Sequence, residues 1–163
     1  MSPRTICSAV AFLWIVTIAL IGWLFIKGWT APGTDGRTEI LLVPAERDLI
    51  LTEMRGLLKA VSGVVAGLGD ASQPTAQAGL AARAAGMQMA ADVNPVLMGK
   101  LPLAFKQMGM SVHRDMDGLA DAVADGETSQ QILTRLADIT VRCTTCHDMY
   151  RFAPDKGPVG NGK

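Results

Sequence analysis

Aromatic side chains make up only 5% of the 163 residues, with a single tyrosine, while apolar residues reach 49%. That balance argues against an aromatic-rich sheet and for helices filled with Ala, Leu and Met. Three cysteines are too few for a disulfide framework. Formal net charge is zero and no Lys/Arg stripe stands out, so nucleic acid is not an expected partner. No acid occurs before Asp35. Residues 31–163 carry 13 Lys/Arg against 15 acids. That slight acidity is either an ordinary solvated surface or a means of steering towards a basic partner. No stretch alternates with period two for long enough to form a strand, so the expected class is all-α.

The N-terminus carries the one long apolar run. Ile6 to Ile26 contains no charged residue over 21 positions, enough to span a hydrocarbon core of roughly 30 Å. Trp23 and Trp29 sit near its C-terminal end with Lys27 between them, as an interfacial belt would. Signal peptides have apolar cores of roughly 7–15 residues and a small-x-small cleavage site. This run is longer, and Gly28-Trp29-Thr30-Ala31 is a poor site, so an uncleaved transmembrane anchor is expected within residues 1–29. Cys7 reads as a plain membrane-embedded side chain. Residues 30–42, with Pro32, Gly33 and Gly36, read as a flexible linker.

Four amphipathic helices are expected over residues 43–152, with a flexible tail at 153–163. After Pro44, Ile50, Met54, Leu57, Val61, Val64 and Leu68 form one stripe at spacings of four and three. A second helix is expected from Thr75 to Val93 with Leu80, Ala84, Met87 and Ala91 inward, ended by Asn94-Pro95. A third follows Pro102 and carries Phe105, Met108, Val112, Met116, Leu119 and Val123. Asp125-Gly126 closes it. The fourth begins near Thr128-Ser129, where a hydroxyl can cap the first turn. It carries Ile132, Leu136, Ile139, Cys143, Cys146 and Tyr150. Short connections between such helices predict an antiparallel four-helix bundle.

The fourth helix also holds Cys143-Thr144-Thr145-Cys146-His147. C-x-x-C-H is the attachment pattern of a covalent c-type haem. Two thiols three residues apart share a helical face and can each add to a vinyl group, and His147 follows as an axial iron ligand. A redox dithiol would be expected beside a βαβ pattern, which is missing. A structural zinc needs four ligands, yet His113 is the only other histidine and there is no second Cys pair. One haem c is the expected cofactor. Covalent haem attachment takes place outside the bacterial inner membrane, so residues 31–163 are expected in the periplasm.

The motif's place on the last helix resembles the cytochrome c′ family and its low-spin relatives. The ending Cys143-Thr144-Thr145-Cys146-His147-Asp148-Met149-Tyr150-Arg151 is similar to that family's, including Tyr-Arg after the histidine. Arg47 to Met54 resembles its first helix, with Met54 where the family keeps its distal haem-facing residue. Phe105-Lys106-Gln107 and Ala124-Asp125-Gly126 resemble its third helix and exit. The likeness spans roughly residues 43–152. The membrane segment and the short connection before Pro102 depart from it. The resemblance implies Met54 as a distal iron ligand and Arg151 as a propionate or proximal contact.

The sixth ligand decides the chemistry. His opposite Met closes the iron, raises its potential and suits electron transfer, whereas His alone leaves a face open to NO or CO. Met54 lies on the core stripe, but methionine is also a common gap-filler. His113 falls off its helix stripe and is expected to be partly exposed. Arg151 can equally be a solvated cation near a helix C-terminus. The expected function is a membrane-anchored electron carrier, serving a redox protein partner or a membrane redox complex. A gas-binding five-coordinate haem protein and a mainly structural subunit are the alternatives, and a homodimer stays open. No nucleophile–base pair suggests an enzyme.

Overall fold

The computed structural model describes residues 3–69, 74–90 and 94–154. Among them, six helices and one small sheet follow one another. They are α1 (Pro3–Lys27), β1 (Thr30–Pro32), β2 (Thr38–Ile40), α2 (Pro44–Gly69), α3 (Pro74–Ala84), α4 (Pro95–Lys100), α5 (Leu103–Ala124), α6 (Ser129–Met149) and β3 (Tyr150–Phe152).

Within α1, Thr5–Lys27 is 23 residues long, and its most apolar 18-residue stretch has mean hydropathy 2.5. It is long and apolar enough to cross a membrane, a property that signal sequences near an N-terminus share. Its end is held by the rest of the chain. Gly28 turns the backbone at φ +67° and donates to the Leu24 carbonyl at 2.8 Å. Trp29 N–H donates to the Lys100 carbonyl at 2.7 Å. The buried Lys106 donates from Nζ to the carbonyls of Phe25 (3.2 Å) and Met98 (3.0 Å). A helix leaves its last carbonyls without internal partners, and a cation placed there is favourable.

The segment expected to be a flexible linker is structured. β1 and β2 pair antiparallel, with Thr30 opposite Ile40. β2 pairs parallel with β3, with Thr38 opposite Tyr150. This corrects both the linker and the strictly all-α class. Each strand has three residues, too few to show alternation, and β3 arrives from the far end of the chain. The expected tail is also shortened: Ala153 N–H still donates to the Ile40 carbonyl at 3.1 Å. Residues 155–163 lie outside the described part.

α2 packs on α3, α3 on α5, and α5 on α6, while α2 and α6 meet only marginally. One apolar cluster runs through these layers, with Val64, Ala78, Ala82, Met116, Leu119, Ile132, Leu136 and Ile139 among its members. The expected inward faces of α2 and α5 are observed, and Thr128 caps α6 in a reciprocal capping box with Gln131.

α3 differs from expectation in phase and length. Ala78, Ala82 and Ala85 are buried, whereas Leu80 is 73% exposed and Ala84 also faces out. The reason is close approach. A Cβ on Gly67 would lie 2.6 Å from the Ala78 nitrogen, and one on Gly63 2.8 Å from the Ala81 Cβ. Small residues therefore occupy the interface, and the bulky leucine is turned out of it. Past Ala84 the backbone tightens, with the Ala85 and Gly86 N–H groups donating to the Ala82 and Arg83 carbonyls, and the groups beyond take partners from α5. Asp117 accepts the Met87 N–H at 2.8 Å, and His113 Nδ1 lies 2.8 Å from the Ala85 carbonyl. Ala91 lies outside the described residues.

Candidate functional site

α6 places Cys143 and Cys146 three residues apart, one helical turn, so both thiols lie on one face. Both are half-buried and neither is in a disulfide. Burial pushes both thiols up, Cys146 to about 11, with the neighbouring Cys143 adding to the effect there. Burial in this way disfavours the thiolate that a redox dithiol needs for attack. The intervening threonines keep out of the way: Thr144 and Thr145 both donate from their hydroxyls to the Val141 carbonyl, at 2.8 and 2.9 Å. The His147 side chain is exposed. Its carbonyl accepts from Arg37 Nη1 at 3.3 Å.

A second apolar cluster borders this face. Its buried members are Ile40, Ile50, Leu97, Leu101 and Phe105. Met54, Met98, Cys146 and Tyr150 pack against it, partly buried. The Phe105 ring meets Tyr150 edge-on, with centroids 5.6 Å apart, and Phe152 at 6.4 Å. Met54 of α2 and Cys146 of α6 thus share one apolar environment, although α2 and α6 themselves meet only marginally.

Two thiols and an imidazole in one turn, with aliphatic and aromatic side chains and the Met54 thioether against the same apolar cluster as Cys146, are a donor set that fits a covalent haem. Cys143 and Cys146 would carry the thioether bonds and His147 the iron. Met54 would offer a thioether as a further iron donor. Met98 is in the same cluster and was missed in the sequence because Asn94-Pro95 reads only as a break. It is in fact the start of α4, where Asn94 Oδ1 accepts from the Val96 N–H at 2.8 Å. Met116 belongs to the other cluster. Among the described residues, no three His, Cys, Asp or Glu side chains gather as a metal-ion ligand set.

Arg151 is committed elsewhere than expected. Its guanidinium pairs with Glu39 and with Asp35 (3.1 Å), and donates to Thr34 Oγ1 at 3.1 Å. Arg37 is bound to the same Asp35 at 2.7 Å. Hydrogen bonds from Arg37, with the Arg151 charge adding, hold the Asp35 carboxyl down at about 2. This cluster fastens the end of α6 to the 33–40 segment, an ion-pair role for Arg151 that periodicity and spacing do not announce. Arg142 pairs with Asp115.

His113 corrects another expectation. It is 1% exposed, with Nε2 2.7 Å from Glu53 Oε1 and Nδ1 2.8 Å from the Ala85 carbonyl. Burial alone would lower its pKa, but the Glu53 and Ala85 hydrogen bonds together outweigh it and raise it. His113 links α5 to α2 at Glu53, the residue before Met54 in sequence.

Compared with protein-family models, with curated proteins and with solved structures, the chain finds no match.

Proposed function

We propose that the chain is a membrane-anchored c-type cytochrome that carries single electrons. The observation that carries this reading is Cys143-x-x-Cys146-His147 on one helix, with Cys146 and Met54 packed against the same apolar cluster. In this reading α2, α3, α5 and α6 are the four helices of an antiparallel bundle of the cytochrome c′ kind. A haem bound there supplies a one-electron ferrous–ferric couple.

The chain's own residues would do the rest. Cys143 and Cys146 fix the cofactor covalently, and His147 presents its imidazole. Met54 would offer its thioether to the iron, and Ile50, Leu97, Leu101 and Phe105 would exclude water, which would tune potential through ligand identity and burial. α1 would anchor the protein in the bacterial inner membrane with the haem domain in the periplasm. Tethering raises the effective concentration at a membrane redox complex or partner protein.

The test is absorption spectroscopy of ferric and ferrous protein produced in a host competent for covalent haem attachment, with and without CO. The expected result is a low-spin haem that does not bind CO readily, and a Met54→Ala variant that becomes high-spin and does. Absence of haem bands would sink the cytochrome reading. A high-spin wild type with ready CO binding would replace electron transfer by gas binding.

A further inference from the structure

We infer that an open cleft of about 360 Å³ at the membrane end of the domain binds the headgroup of a membrane-soluble quinone. It is lined by the end of α1 (Ile26, Lys27), by Thr30 and Thr38 of the sheet, by the start of α5 and by Tyr150. Its volume falls within the roughly 300–1,000 Å³ of small-molecule sites.

Position is the first argument. Ile26 closes the uncharged run of α1, so in the membrane-anchored reading a ligand dissolved in the bilayer would reach the cleft without crossing water. The docking of α1 described above makes this placement a fixed feature: Lys106 grips Phe25 and Trp29 is bonded to Lys100.

Chemistry is the second. Pro102, Leu103, Ala104 and Ile26 provide an apolar wall. Thr30, Thr38, Gln107 and Tyr150 bring three hydroxyls and an amide to the same cleft, and none of these side chains hydrogen-bonds another described residue. Uncommitted neutral donors and acceptors around an apolar wall suit an uncharged ring with carbonyl or hydroxyl oxygens. A phosphate headgroup would want more cations than the one lining residue Lys27.

Proximity is the third. Tyr150 lines the cleft and packs, with Cys146, against the second apolar cluster. The choice of a redox-active ring over another neutral headgroup rests on the haem reading, whereas the existence of a neutral headgroup site does not.

The test uses the full chain in detergent micelles and a decyl-tailed benzoquinone, followed by quenching of tryptophan fluorescence. Saturable quenching is expected in the wild type. Gln107→Leu, which removes the amide, and Ala104→Phe, which fills the cleft, should each weaken it at least tenfold with unchanged circular dichroism. Quenching that does not saturate, or is equal in all three proteins, overturns the site. Equal displacement by a short-chain phosphatidylglycerol overturns the quinone in favour of a phospholipid. Haem is read separately from absorption, so a haem-free protein that still binds quinone would sink the cytochrome reading and not the site.

Discussion

Replacing His113 by leucine should destabilise the protein by an amount that depends on pH. Both ring nitrogens face oxygen acceptors, the Glu53 carboxylate at 2.7 Å and the Ala85 carbonyl at 2.8 Å. A neutral imidazole has one N–H and can satisfy one of them, whereas the imidazolium satisfies both. The folded protein therefore favours the cation, in line with the raised pKa. A hydrogen bond to a charged group is worth about 1.5–3 kcal/mol and a neutral one about 1. Glu53 retains a quarter of its side-chain exposure, which brings the first towards its lower limit, and the apolar surface gained by leucine offsets part of the total. The expected loss is about 2 kcal/mol at pH 5.5, or roughly 5–10 °C in melting temperature for a domain of this size. The sign with pH follows from linkage. A folded pKa raised above the unfolded value of about 6.5 stabilises fully below that value and loses the contribution as pH rises through the folded pKa. The gap between wild type and His113→Leu should thus narrow from pH 5.5 to pH 9. Thermal unfolding followed by far-ultraviolet circular dichroism at several pH values measures it. A gap below about 0.5 kcal/mol, or one that widens towards pH 9, would refute the two-acceptor argument.

Other substitutions probe other parts of the fold. Gly28→Ala should destabilise by about 2–4 kcal/mol, because φ is +67° and the new Cβ would lie 2.6 Å from the Lys100 carbonyl oxygen and the Pro102 nitrogen; thermal melting of the full chain reads it. Lys106→Met should cost about 1–3 kcal/mol by leaving the Phe25 and Met98 carbonyls without their donor, and a spin label on α1 should then move independently of the domain. Thr128→Ala should cost about 1 kcal/mol by removing half of the α6 capping box, measured by urea unfolding with unchanged m-value. On the proposed haem reading, Cys146→Ser should leave at most a single thioether bond, read as a shifted alkaline pyridine haemochrome band.

Elements with long periodic patterns were legible from sequence, and short or small-residue ones were not. The faces of α2 and α5 each follow from six apolar positions repeated over about five turns, so single exceptions average out. α3 was misphased because hydrophobicity ranks Leu80 above Ala78, while the approach of Gly63 and Gly67 ranks them the other way. His113 was misplaced because its burial depends on Glu53 and Ala85, which are remote along the chain.

By itself the sequence determined an apolar α1, the amphipathic faces of α2 and α5, the capped start of α6, and the C-x-x-C-H run on that helix. Those are local properties, set by composition, periodicity and spacing within a few turns. Only the tertiary structure decided that residues 30–40 pair with 150–152, that Arg151 is bound by Glu39 and Asp35, and that Met54, Met98 and Cys146 meet one apolar cluster. These depend on which distant groups arrive at the same place. An ion pair or a three-residue strand leaves no periodic trace in the chain that forms it.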